Sequence, residues 1–210
     1  MADNYLGRKM EEYEAQRCAS VRTRRVSLTS LLMKNRSTRG FDTSFKVRHD
    51  QLVSLIDAAR LAPSARNQQA LRYRLVTAEE AHLVLPHIRL GGALPELNLP
   101  LPETEPNAYV VICSEKEGRY IDIDLGIAAQ TILLRAVEMG LNGVCIAAFD
   151  HDALRDKLQL SLPPQLVIAI GRSAERIEVV DISEGESQTY YRENGVHYVP
   201  KLRTEELIVK

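Results

Sequence analysis

Cysteine is scarce: Cys18, Cys113 and Cys145 are the only three, widely spaced and with no Cys-x-x-Cys pair. That excludes a disulfide framework and a zinc site and leaves buried, reduced thiols as the expectation. Histidine offers no metal site either, because His49, His82, His87, His151 and His197 are scattered without ligand spacing and read as surface residues. Gly-x-Gly-x-x-Gly, a phosphate loop ending in Gly-Lys-Ser/Thr, His-Glu-x-x-His and Gly-x-Ser-x-Gly are all missing. Their absence sets aside Rossmann dehydrogenases, nucleotide triphosphatases, zinc proteases and α/β-hydrolases. No sign of charge dominates, the net value being -1, and the short basic run Arg22, Arg24, Arg25 has no interleaved aromatics. No nucleic-acid partner is therefore expected. Met1 to Cys18 lacks the apolar run of a secretory or transit signal, so a cytoplasmic location is expected. Asp122, Asp124, Gln130, Arg135 and Glu138 interrupt the most apolar helical segment too often for a membrane span.

What is present is an ordinary globular composition, 45% hydrophobic and 26% charged over 210 residues. It suits one domain over 31–210 preceded by an N-terminal helical extension over 1–30. Periodicity predicts helices over 3–18 and 27–34, then one with Asp50 as N-cap and Leu52, Leu55, Ile56 and Ala59 on its apolar face, stopping near Pro63. A strand over 73–77 and a helix over 78–85 follow. Pro95, Pro100, Pro102 and Pro106 interrupt 90–107, which reads as a long loop, either a lid over a pocket or a stiffened crossover. A buried strand over 109–114 leads to a long, mostly buried helix over 120–139, stopped by Gly140. Strands over 143–148 and 165–170 flank a helix over 151–158, and the alternation implies an α+β or α/β layered domain. The tail from Tyr190, ending in the strand-like 207–209, is too apolar to hang free in water.

Three clusters carry the candidate chemistry. Arg36, Ser37, Thr38 and Arg39 crowd two guanidiniums and two hydroxyls at the end of a helix, a donor set suited to a phosphate or an electron-rich ring edge. A capping turn with solvated arginines would look the same. Pro63, Ser64, Ala65, Asn67 and Gln69 follow an amphipathic helix, and their amides present donor and acceptor together, as a flavin or nucleobase edge requires. Lys201 and Arg203 are two cations on one side of an extended strand, a grip for a phosphate.

In this order and at these separations, the clusters resemble the nitroreductase family, together with the segments Gly143 to Phe149 and Ile168 to Gly171. The resemblance runs from about Leu32 to Lys210. It implies an α+β, three-layer fold, with a central, mostly antiparallel sheet wrapped by helices and a C-terminal arm exchanged in an intertwined homodimer. It implies FMN as cofactor, NADPH or NADH as reductant, and a small-molecule electron acceptor such as a nitroaromatic or quinone served by ping-pong turnover. Arg36, Ser37, Thr38 and Arg39 would hold FMN, with Arg39 at the pyrimidine end. Pro63, Ser64, Ala65, Asn67 and Gln69 would come from the partner chain, Lys201 and Arg203 would take the phosphate, and Ile146, Ala147 and Ala148 would lie by the flavin N5. No side chain is assigned as a catalytic nucleophile. The sequence departs from the family pattern at Asn35, where many members have arginine, at Gln69-Ala70-Leu71 in place of Gln-Pro-Trp, and at Ala147-Ala148, where a pair containing glycine is usual. Two other classes stay open: a flavin protein of this fold with a different reaction, and a non-enzymatic interaction protein whose arginines are merely surface.

Overall fold

The run Ala108–Cys113 contains no charged residue, and all six of its side chains are buried, because both faces of the sheet it forms are covered. In the computed structural model, which describes Lys9, residues 26–92 and residues 99–209, this run is the inner strand β2 of a four-stranded antiparallel sheet. The other strands are β1 (Arg72–Val76), β3 (Asn142–Ile146) and β4 (Pro164–Gly171), in the order β1-β2-β4-β3. Strand alternation divides the core in two. Ala108, Val110 and Ile112 of β2 join Ile168 and Ile170 of β4 on one face, while Tyr109, Val111 and Cys113 join Val167 and Ala169 on the other.

The first face is covered by the helices α2 (His49–Arg60) and α3 (Arg119–Glu138), through Leu52, Leu55, Ile132, Leu133 and Ala136. The second is covered by α4 (His151–Lys157), the segment around Phe41 and the turns near Val84. The short helix α1 (Leu28–Lys34) precedes them, capped by Ser27, whose side chain accepts the Ser30 N–H. The architecture is thus α+β, as expected from the alternation of strands and helices.

After Gly171 the chain builds a second, three-stranded sheet. Strand β5 (Arg176–Ile182) runs parallel to β7 (Val196–Leu202), and β6 (Tyr191–Glu193) pairs antiparallel with β7. Asn194 and Gly195 turn the β6–β7 hairpin with φ of 49° and 76°, the left-handed pair that a two-residue turn requires. Tyr191 stacks on Tyr198 across the strands at 5.0 Å.

Several sequence expectations need correction. The N-cap of α2 is Arg48, and Asp50 sits in the first turn instead, held by the Arg48 guanidinium at 2.9 Å. Residues 78–85 form no α-helix: 3₁₀ turns at Ala81–Leu83 and Leu85–His87 replace it, the second carrying Pro86, which has no N–H for a helical ladder. The helix α3 is buried along its inner face only, with Tyr120 61% and Ile123 46% exposed. Cys145 is exposed, whereas Cys113 is buried as expected. Residues 207–209 form no strand. The helix expected over 3–18 lies, apart from Lys9, outside the described residues, as does Cys18.

Candidate functional site

The segment after α1 is extended and lies along the free edge of β3, with a parallel bridge between Ser37 and Gly143 and a hydrogen bond from the Thr38 N–H to the Gly143 carbonyl at 3.3 Å. Side chains in such a segment alternate in direction. Thr38 points inward and is fully buried, whereas its neighbours Ser37 and Arg39 face a cavity of about 590 Å³, which the long Arg36 side chain at the start of the segment also lines. Asn35, Gln188, Tyr190, His197 and Lys201 contribute to the same cavity. Among the described residues its wall includes Arg36, Arg39 and Lys201 and no carboxylate, a field that favours an anion.

The Arg36 guanidinium spends two of its donors on chain carbonyls, Asn35 at 2.5 Å and Leu32 at 2.8 Å. It thereby caps α1 and leaves its other N–H groups without a partner among the described residues. Arg39 donates to the Ser37 carbonyl at 3.2 Å and lies over the Tyr190 ring, 5.5 Å from its centroid.

Glu175 holds this segment in place. Its carboxylate accepts the Arg39 N–H at 2.6 Å and the Thr38 hydroxyl at 3.1 Å, and pairs with Arg192 of β6. Ser173 adds a hydroxyl contact to Thr38 at 2.8 Å. Gly40 is tight for the same reason, since a Cβ there would meet Glu175 Cγ at 3.2 Å.

The amide cluster lies elsewhere in the chain. Pro63, Ser64 and Gln69 line a separate cleft of about 220 Å³ together with Asp124 of α3, and it shares no residue with the cationic cavity. Arg66, Asn67 and Gln69 take φ of 54°, 53° and 47°, left-handed values that non-glycine residues adopt at a cost and that cluster at functional loops. The loop is pinned by the Asp124 carboxylate, which accepts the Ala65 N–H at 2.9 Å. Two further bonds run from the Gln69 N–H to Ser64 Oγ at 3.2 Å and from the Gln69 amide to Asn67 Oδ1 at 3.1 Å.

One chain therefore brings Arg36, Ser37, Arg39 and Lys201 together. It does not bring in Thr38, whose hydroxyl is committed inside the fold, or Ile146, whose side chain is 3% exposed in the core. Ala147 is exposed past the end of β3, and Ala148 lines a different depression with His87 and Arg89. Arg203 is exposed one residue beyond β7 and does not line the cavity. Sequence reasoning missed Glu175, Asp124 and Tyr190, and it placed His197 at the surface. That residue is 4% exposed, and burial, followed by the Arg192 guanidinium, holds its ring below the ordinary imidazole range.

A family model described as the nitroreductase family matches residues 32–172. No curated protein matches the sequence. Among solved structures, a nitroreductase family protein from Streptococcus pneumoniae TIGR4 is 18% identical with a TM-score of 0.64, over 88% of this chain and 100% of that one. An FMN-dependent nitroreductase from Clostridium difficile R20291 is 26% identical, with a TM-score of 0.58 over 72% and 90% of the two chains. A putative nitroreductase in complex with FMN from Exiguobacterium sibiricum 255-15 is 17% identical, with a TM-score of 0.60 over 71% and 90%.

Proposed function

The chain belongs to the nitroreductase family, and from that premise we propose that it is an FMN-dependent oxidoreductase acting as a homodimer, with NADH or NADPH as reductant. The observation that carries this reading is the cavity lined by Arg36, Ser37, Arg39 and Lys201, with no carboxylate among the described residues of its wall. Its volume, about 590 Å³, falls within the range that encloses a cofactor-sized ligand, and its donors match a phosphate monoester at one part and a polar ring edge at another.

When bound, FMN would supply the two-electron chemistry between the nicotinamide and a small acceptor such as a nitroaromatic or quinone. The chain's part is to bind and orient. Lys201 and Arg36 neutralise the phosphate, and Ser37 offers a neutral contact. Arg39 places positive charge at the pyrimidine end, where reduction builds up negative charge. Asn67 and Gln69, on the separate left-handed loop, are assigned to the flavin of the partner chain. Exposed Tyr120, Ile123, Leu61 and the tail residues Leu207 to Val209 provide apolar surface for that dimer, the tail serving as the exchanged arm.

The test is the absorbance spectrum of the purified chain with FMN, followed by anaerobic addition of NADH or NADPH. Bleaching of the flavin band is expected, with reoxidation by a quinone or nitroaromatic. A chain that stays colourless in FMN sinks the proposal.

The phosphate assignment has its own test. A hydrogen bond to a charged group contributes about 1.5–3 kcal/mol, so Lys201→Ala is expected to weaken FMN by about 10- to 150-fold. Riboflavin, which lacks the phosphate, should bind with unchanged affinity. Equal losses for both flavins in a fluorescence titration would remove Lys201 from the phosphate.

A further inference from the structure

His197, Val199 and Lys201 alternate onto one face of β7, and all three line the cationic cavity. At roughly 3.3 Å per residue, His197 and Lys201 are separated by about 13 Å along the strand, so they mark two ends of the cavity. Lys201 has only positive charge to offer its end. The His197 end is chemically different: Tyr190 tilts against the imidazole at 5.3 Å between centroids, and Arg39 lies over Tyr190.

His197 itself is 4% exposed, yet its Nδ1 is buried without a hydrogen-bond partner among the described residues. A buried polar atom left unpaired is costly and calls for a partner, and His197 lines both the cationic cavity and a smaller one beside Glu175 and Arg192. The charged groups around the ring are Arg192 of the paired strand β6, Arg39 of the cavity segment and Glu175 of the clamp, and Ile177 of β5 faces it on the other side. Burial and the two guanidiniums outweigh Glu175 and keep the imidazole neutral. A neutral imidazole has one donor and one acceptor. It is poorly suited to a phosphate dianion and well suited to a heterocycle edge on which N–H and C=O alternate.

We propose that His197 is a flavin-contacting residue that accepts a hydrogen bond from the flavin N3–H, beside Arg39, and so recognises the pyrimidine end of the ring. The proposal rests on the FMN reading given above and adds to it a residue of the C-terminal sheet, beyond the 32–172 match.

The experiment titrates the full-length chain by flavin fluorescence with FMN, riboflavin and 3-methyl-FMN, in which the N3 proton is replaced. His197→Ala is expected to weaken FMN and riboflavin by the same factor, roughly 5- to 15-fold. The wild type should prefer FMN over the 3-methyl analogue, His197→Ala should lose that preference, and His197→Asn, whose amide oxygen stands where Nδ1 does, should recover part of it. The asparagine variant also preserves the test if the alanine variant fails to fold. A loss for FMN alone would put His197 on the phosphate and overturn the proposal. An unchanged preference in both variants would mean that water, not flavin, satisfies the imidazole, and would overturn it equally. Absence of FMN binding by the wild type would overturn the FMN reading along with it, whereas wild-type binding with unaltered ratios in the variants overturns the histidine assignment alone.

Discussion

A mixed dimer made from two inactive chains, one carrying Arg36→Ala and the other Asn67→Ala, is expected to recover about half of wild-type activity with about one FMN per dimer. Within one chain, the cavity that contains Arg36 and the cleft beside Asn67 have no lining residue in common. If the dimer brings the loop of one chain to the cavity of the other, each site takes one residue from each subunit. One site of the mixed dimer then collects both lesions and the other collects none. Each variant alone is expected to lose FMN, because Arg36 supplies charge to the phosphate and Asn67 supplies an amide to the ring. Differently tagged chains, co-expressed and purified through both tags, isolate the mixed species for flavin counting and turnover. If both residues served the same site from one chain, every site would carry one lesion. No activity would then return, and the shared-site arrangement would have to be given up.

Gly143→Val is expected to destabilise the protein by about 2–4 kcal/mol, at the upper end for overpacking a core, and to lower Tm by roughly 5–15 °C for a chain of this size. A Cβ at Gly143 would stand 2.4 Å from the Ala169 carbonyl oxygen, 2.9 Å from Leu133 Cδ2 and 3.0 Å from Ile170 Cδ1. The methyl groups could rotate away. The carbonyl cannot, because it belongs to β4, whose register against β3 is fixed from Asn142↔Gly171 to Ile146↔Val167. The Gly143 carbonyl accepts the Thr38 N–H, so any retreat of β3 would also displace Arg36 and Arg39. Thermal unfolding reads the first effect and FMN titration the second. A Tm within a degree or two of wild type would show that β3 yields without cost.

The central sheet was legible because each of its buried strands is an apolar run bounded by turn residues, and the long helix α3 because Gly140, with φ of 76°, supplies its stop. Strand β5 was missed. Its charges, Arg176, Glu178 and Asp181, break up the apolar residues, and most of its side chains are only partly buried, so no strong period survives. The Asn194-Gly195 pair was a readable hairpin signal that went unused, and it predicts β6 and β7 directly. No pattern in the sequence could have given Glu175 or Asp124 its role, since each acts on backbone far away in the chain, Asp124 on the Ala65 N–H and Glu175 on the Arg39 N–H. His197 was misjudged for a related reason. Local sequence gives its place on a strand, but its burial depends on Tyr190, Arg39 and the walls of a cavity assembled from distant segments.

The position of Ser37 and Thr38 along β3 has a further consequence, for solubility. An open sheet has two edges, and an unprotected edge invites pairing with another molecule. On the β1 side, exposed Arg72 places positive charge on the edge strand, while Arg74 is paired with Glu80; a charge on an edge is a common deterrent to such pairing. On the β3 side, part of the barrier is the Ser37–Gly143 bridge and the Thr38 N–H bond, that is, the same stretch of chain that presents Arg36 and Arg39. Substitutions that loosen this stretch would uncover strand edge while they weaken ligand binding. Aggregation would then accompany loss of flavin, and a variant recovered mainly as insoluble material would point to damage at this edge rather than to a failure of the central core.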